Sequence, residues 1–147
     1  MGVESYLIAD SVTGIIAQRL VRRLCPNCKK ARPVLEHEAA YMGIPQDAYE
    51  GVEIFEPVGC QRCNGTGYFG RIGVYEIMEI TPTLRGYIAR RAPTDAIREA
   101  AIAEGMLTLK QSVRRLVLDG TTTITEMQRI SVEDLNLLGD ETHTTEA

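Results

Sequence analysis

The residues of this chain best placed to do chemistry are its four cysteines. They fall into two matched pairs, Cys25-Pro26-Asn27-Cys28 and Cys60-Gln61-Arg62-Cys63. A Cys-x-x-Cys turn lets two thiolates converge on one ion, and two such turns complete a tetrahedral four-sulfur shell. That shell suits zinc best, with an iron–sulfur centre as the alternative occupant. Pro26 stiffens the first turn, and Asn64, Gly65 and Gly67 follow the second. Glycine there lets backbone N–H groups approach sulfur without a Cβ in the way. Four protein ligands leave no open position for water, so the ion is expected to be structural and not catalytic.

Three other uses compete. A redox dithiol needs one pair opening a helix after a strand and does not require the second pair. Disulfides need an oxidising compartment, and nothing in the sequence points to export. Two unrelated turns are the third possibility, since residues 29–59 make a longer separation than a zinc ribbon usually has. All four cysteines are accounted for by one site, which favours Cys25, Cys28, Cys60 and Cys63 as the ligands of one zinc. His37 and His143 lie in polar surroundings outside either turn and read as surface histidines. His37 becomes a substitute ligand only if a cysteine is free.

The elements that must position these turns lie on a chain of 147 residues, enough for one ordinary domain or two small ones. A hydrophobic fraction of 44% with 24% charged residues is that of a globular protein. Aromatic content is 5% with no tryptophan, so a large aromatic core is not available and a metal staple gains importance. A net charge of −4 argues against nucleic acid as a partner. No stretch is apolar enough to span a bilayer and no signal-peptide pattern opens the chain, so the expected location is cytoplasmic. Charge is unevenly placed. Residues 1–35 are mainly basic, whereas Glu36, Glu38, Asp47, Glu50, Glu53 and Glu56 make residues 36–60 wholly acidic. Such an insert usually forms a solvated surface, and it could also dock on a basic one.

Residues 4–12 predict a short helix with Leu7, Ile8 and Val12 on one side. From Ile15 to Leu24 the alternation of Leu20 and Leu24 with Arg19 and Arg23 allows a strand, and the apolar spacing allows a helix. A strand is expected from about Ala17, because the run must deliver Cys25 into its turn. Arg19, Arg22 and Arg23 on it read as a solvated face, or as a contact to phosphate or carboxylate. Leu35 to Met42 favours a helix closed by Gly43, and Val52, Ile54 and Phe55 a brief strand. Tyr68 to Ile80 reads as β structure, alternating from Val74 onward, with Arg71 expected to pair with Glu76. Four short helices follow. Thr81-Pro82 opens the first, which ends at Arg91, and Thr94 caps the second. Thr108 caps the third, which buries Leu109, Val113, Leu116 and Val117. Thr123 and Glu126 form a capping box for the fourth. A disordered tail is expected from Gly139.

Met1 to Ala9 and Ala17 to Cys28, together with Gly59 to Glu76, resemble the C-terminal part of the secretion ATPases that drive type II secretion and type IV pilus assembly. The helical segment through Gly120-Thr121-Thr122 and Glu126 fits the same family. The resemblance implies an α+β chain in four parts. Residues 1–24 would be the end of a RecA-like ATPase core, 25–80 a tetracysteine zinc subdomain with short strands, 81–134 the C-terminal helices, and 135–147 a disordered tail. The family's enzymes are hexameric and cytoplasmic. They use ATP and magnesium and act on an inner-membrane platform protein, which implies peripheral association with that membrane. No G-x-x-x-x-G-K-[ST] occurs in this sequence, so the chain reads as a fragment without ATP hydrolysis of its own. Its implied partners are the upstream ATPase core and neighbouring subunits. Gln18 and Arg19 fall where the family's strand returns toward the nucleotide.

Two other classes compete with this one. The second cysteine pair fits the Cys-x-x-Cys-x-Gly-x-Gly repeat of J-domain chaperones, but Cys28 is followed by Lys29-Lys30-Ala31 and the repeat occurs once. A stand-alone zinc-ribbon module binding protein or nucleic acid would show interleaved basic and aromatic residues near the turns, and the insert between them is acidic.

Overall fold

A computed structural model describes residues 2–139, with side chains placed to Ser131. The tail expected from Gly139 therefore lies almost wholly outside the described residues, as does His143. The elements run α1 (Ser5–Ser11), β1 (Gly14–Leu24), β2 (Lys30–Pro33), α2 (Glu36–Met42), β3 (Glu53–Glu56), a single 3-10 turn (Gln61–Cys63) and β4 (Tyr68–Glu79). They continue as α3 (Pro82–Ala89), α4 (Thr94–Ala103), α5 (Leu109–Leu118) and α6 (Ile124–Gly139). This is an α+β fold with two two-stranded sheets, β1 with β4 and β2 with β3. Hydrogen bonds at both ends show β1 and β4 to be antiparallel. Ile80 N–H donates to Thr13 O at one end (3.0 Å), and Cys25 N–H to Gly67 O at the other (2.9 Å).

The chain divides into two compact units, one made of residues up to Gln18 with Tyr75–Leu109, the other of Arg19–Val74 with the chain from Lys110. In the first, α1 is tied to α3. Ser5 Oγ donates to Ala89 O (3.0 Å), and Arg85 donates to Ala9 O (2.8 Å), a carbonyl of the last turn of α1 that has no helical partner. Thr81 Oγ1 accepts from Leu84 N–H, with Pro82 at the first helical position, so α3 starts as the sequence predicts. Pro93, not Thr94, caps α4, and Thr94 is already helical. Proline fixes the entry angle there without needing a donor. Leu7 and Ile8 of α1 are exposed, and only Ala9 is buried.

In the second unit β2 pairs antiparallel with β3, Lys30 opposite Glu56 and Pro33 opposite Glu53. Arg32 binds Glu38 through both guanidinium ends (2.7 and 2.6 Å) and reaches Glu56 (3.5 Å), joining β2, α2 and β3. Glu38 also accepts from Leu35 N–H, closing the start of α2. Gly43, left-handed at φ 69, ends that helix. The core gathers Val21 and Leu24 of β1, Ile54 of β3, Val113 and Val117 of α5, and Met127 and Ile130 of α6.

Four expectations need correction. β1 begins at Gly14, because pairing with β4 carries it past Ala17. Leu20 on it is 47% exposed, and Val21 is buried in its place. Glu76 pairs with Arg98 (3.9 Å), not Arg71, since residues five apart on a strand face opposite ways. The capping box at Thr123 is half formed. Thr123 Oγ1 accepts from Glu126 N–H, but the Glu126 carboxylate turns away to Arg22.

Candidate metal centre

β1 ends by burying Leu24 and Cys25, and two backbone bonds hold that end in place: Leu24 N–H to Thr121 O (2.8 Å) and Cys25 N–H to Gly67 O (2.9 Å). The chain then reverses, with Lys29 N–H returning to Cys25 O (3.0 Å) so that Cys28 faces the same side as Cys25. Lys29 Nζ donates to Gly120 O (2.7 Å), which fixes this first turn to the end of α5. The second turn is the 3-10 segment closed by Asn64, left-handed at φ 52, with Gly65 N–H returning to Cys60 O (2.9 Å).

These turns bring all four Sγ atoms within 4.8 Å of one another, among them Cys25–Cys60 at 3.9 Å, Cys28–Cys63 at 3.8 Å and Cys60–Cys63 at 3.7 Å. Zinc–sulfur bonds of about 2.3 Å in a regular tetrahedron set sulfur–sulfur edges of about 3.8 Å. A disulfide would need about 2.05 Å. All four cysteines are free. The group can hold a metal ion, and its spacing and donor set are compatible with zinc. His37 is exposed on α2 and takes no part.

Around the sulfurs stand donors suited to thiolates. Gly59 N–H reaches Cys28 Sγ (3.3 Å), Cys60 N–H and Gly67 N–H reach Cys63 Sγ (3.2 Å each), and Asn27 Nδ2 reaches Cys60 Sγ (3.4 Å). The Asn27 amide and the Cys63 contacts hold the Cys60 thiol down at about 6. Burial pushes Cys63 upward, but the N–H groups of Cys60 and Gly67 outweigh it and the net direction is down. Cys28, where burial dominates, is pushed up to about 11. Cys60 is thus readier to ionise than Cys28, and Cys28 must release a proton to ligate.

Gly67 acts as its glycine context suggests. Gly59 was not singled out in the sequence, although its φ of 105 and the 2.6 Å between an added Cβ and Gly65 O leave room for glycine alone. Asn27 was also missed. An amide inside a Cys-x-x-Cys turn is the signal that could have found it.

Gln18 and Arg19 lie upstream on β1, Gln18 exposed and Arg19 half-buried, and both have contacts within the protein. Among the strand arginines, Arg22 meets a buried carboxylate. Its backbone N–H, Nε and Nη2 bind Glu126 at 2.9, 3.0 and 2.8 Å, and its guanidinium lies over the Tyr68 ring at 4.1 Å. Thr122 Oγ1 donates to Arg22 O (2.7 Å), and Arg129 adds a second cation to Glu126 (3.2 Å). Burial alone would raise the Glu126 carboxyl, but Arg22 and Arg129 bring it below its ordinary value. This clamp fixes the segment of β1 that leads into the first cysteine turn.

Comparison with known proteins shows what the chain is similar to. The chain is 44% identical over 137 residues to the type IV pilus assembly ATPase PilB of Acinetobacter baylyi, covering 90% of this chain and 23% of that protein. It is 38% identical over 128 residues to PilB of Myxococcus xanthus, covering 86% and 23%. It is 37% identical over 134 residues to the type II secretion system protein E of Aeromonas hydrophila, covering 91% and 26%. The chain therefore spans about a quarter of the length of the curated relatives it matches. Residues 1–129 match the family model described as type II/IV secretion system protein, and on that match, with both cysteine turns inside it, the chain belongs to this family.

Proposed function

We propose that this chain is the C-terminal part of a hexameric traffic ATPase powering type IV pilus assembly or type II protein secretion, and that its cysteines hold one structural zinc. The observation that carries the reading is the sulfur tetrahedron, built within a chain of the secretion family. In the whole protein, residues up to Leu24 end a RecA-like core, with Gln18 and Arg19 near nucleotide or a subunit contact. Residues 25–80 form the zinc subdomain and its returning strands. Residues 81–134 are helices that meet neighbouring subunits or the inner-membrane platform, and 135–147 are a tail. Among the described residues no helix is long and apolar enough to cross a membrane. ATP and magnesium belong to the longer protein, whose phosphate-binding loop is not in this sequence.

Two measurements test the two halves of the proposal. Elemental analysis of the purified chain should find one zinc, and a metal-free yet folded chain would overturn the metal reading. Fusing the ATPase half of a relative before Met1 should restore ATP hydrolysis that the chain alone lacks. An inactive but folded fusion would overturn the motor reading.

A further inference from the structure

A concavity of about 300 Å³ opens beside the cysteine turns, lined by Arg23, Leu24, Pro26, Lys29, Arg62 and Phe69 with the end of α5. Three cations and no carboxylate line it, on a chain whose net charge is −4. Three other arginines of this unit are matched to acids, Arg22 and Arg129 to Glu126 and Arg32 to Glu38. Arg23 and Arg62 have no ion pair among the described residues. Lys29 is held as a fixed point charge by Gly120 O and by the Phe55 ring, 4.6 Å from its Nζ. Phe69 is 50% exposed, with the Arg62 guanidinium 5.3 Å from its ring centre.

We propose that this pocket binds a phosphoryl group. Three cations lining one concavity match a dianion with several acceptor oxygens better than a single carboxylate, and the arginine fork suits phosphate geometry. The volume sits at the low end for small-ligand sites, and the exposed ring offers a face to a planar or apolar body carrying the phosphate. Pro26 and Arg62 belong to the two cysteine turns, so the pocket's shape rests on the metal reading above.

The test is titration of the zinc-loaded chain with inorganic pyrophosphate by calorimetry. Saturable binding that weakens as salt rises is expected. Arg23→Glu and Arg62→Glu should each lower affinity at least tenfold with zinc content unchanged, and Arg90→Glu, outside the pocket, should have no effect. Two further ligands identify the source of the phosphate. ADP binding tighter than pyrophosphate, with the gain lost in Phe69→Ala, identifies a soluble nucleotide-like ligand. Capture by phosphatidylglycerol vesicles but not phosphatidylcholine, lost in the charge reversals, identifies a lipid headgroup. Absence of saturable binding to the zinc-loaded chain, or binding indifferent to both reversals, overturns the proposal. Pocket-dependent binding by a chain shown to carry no zinc would overturn the metal reading alone.

Discussion

The two units of this chain solve the same problem by different means. Arg19–Val74 with the chain from Lys110 holds most of the buried apolar side chains and adds polar ties to them: four converging sulfurs, the Arg22–Glu126 clamp and the Arg32–Glu38 pair. Residues up to Gln18 with Tyr75–Leu109 have no such metal-ligand group among the described residues. They depend on short helices and on few buried side chains, chiefly Ala9, Ile80, Leu84 and Ala101. Ile16, Tyr75 and Ile77 stay exposed there, at 65%, 46% and 57%. The lesson is that a segment poor in aromatic core can be made specific by directional bonds. Those bonds also make it fail abruptly when one partner is removed.

The sharpest way to break the comparison is Cys63→Ser or a strong chelator. If ion capture and folding of the cysteine unit are one process, its amides should lose protection while those of α3 and α4 keep theirs in hydrogen exchange. Uniform loss, or none, would show that the ion does not distinguish the units. Next comes Arg22→Ala, which removes the main counter-charge of the fully buried Glu126 but leaves it Arg129 and a backbone N–H, and should cost about 1–3 kcal/mol in denaturant melts. The pair's pH dependence has a definite sign. Because the folded Glu126 carboxyl lies below its unfolded value, its contribution is present above the ordinary carboxylate range and fades as pH falls through the folded value. Glu126→Gln should flatten that part of the acid limb.

Asn27→Ala is subtler. Removing the amide from Cys60 lets that thiol keep its proton to higher pH, so protons compete better with the metal. Zinc affinity measured against a chromophoric chelator should drop about tenfold, and more at pH 6 than at pH 8. The smallest effect belongs to the other unit. Arg91 and Glu4 pair at 3.2 Å with both side chains exposed, so Arg91→Ala should shift stability by less than about 1 kcal/mol. A cost equal to that of Arg22→Ala would erase the contrast between the units.

What could be read from the sequence was what local chemistry determines. Two Cys-x-x-Cys turns announce convergent sulfurs wherever the chain takes them, and Thr81-Pro82 and Gly43 mark helix ends through backbone geometry alone. β2 was not foreseen, because Lys30-Ala31-Arg32-Pro33 has no apolar run and is a strand only by virtue of β3 and the Arg32 fork. Glu126 was read as a local cap because its nearest signal, Thr123, lies three residues away. Its actual partner is 104 residues distant, and no spacing rule reaches that far. Likewise Leu7, Ile8 and Leu20 obey apolar periodicity yet remain exposed, since periodicity marks a face without saying that anything covers it.

Gly67 serves both halves of the cluster, its C=O accepting from Cys25 N–H and its N–H donating to Cys63 Sγ. A shift of the Cys63 sulfur is therefore passed through the backbone of one glycine to the end of β1, and the seating of one cysteine turn is coupled to that of the other.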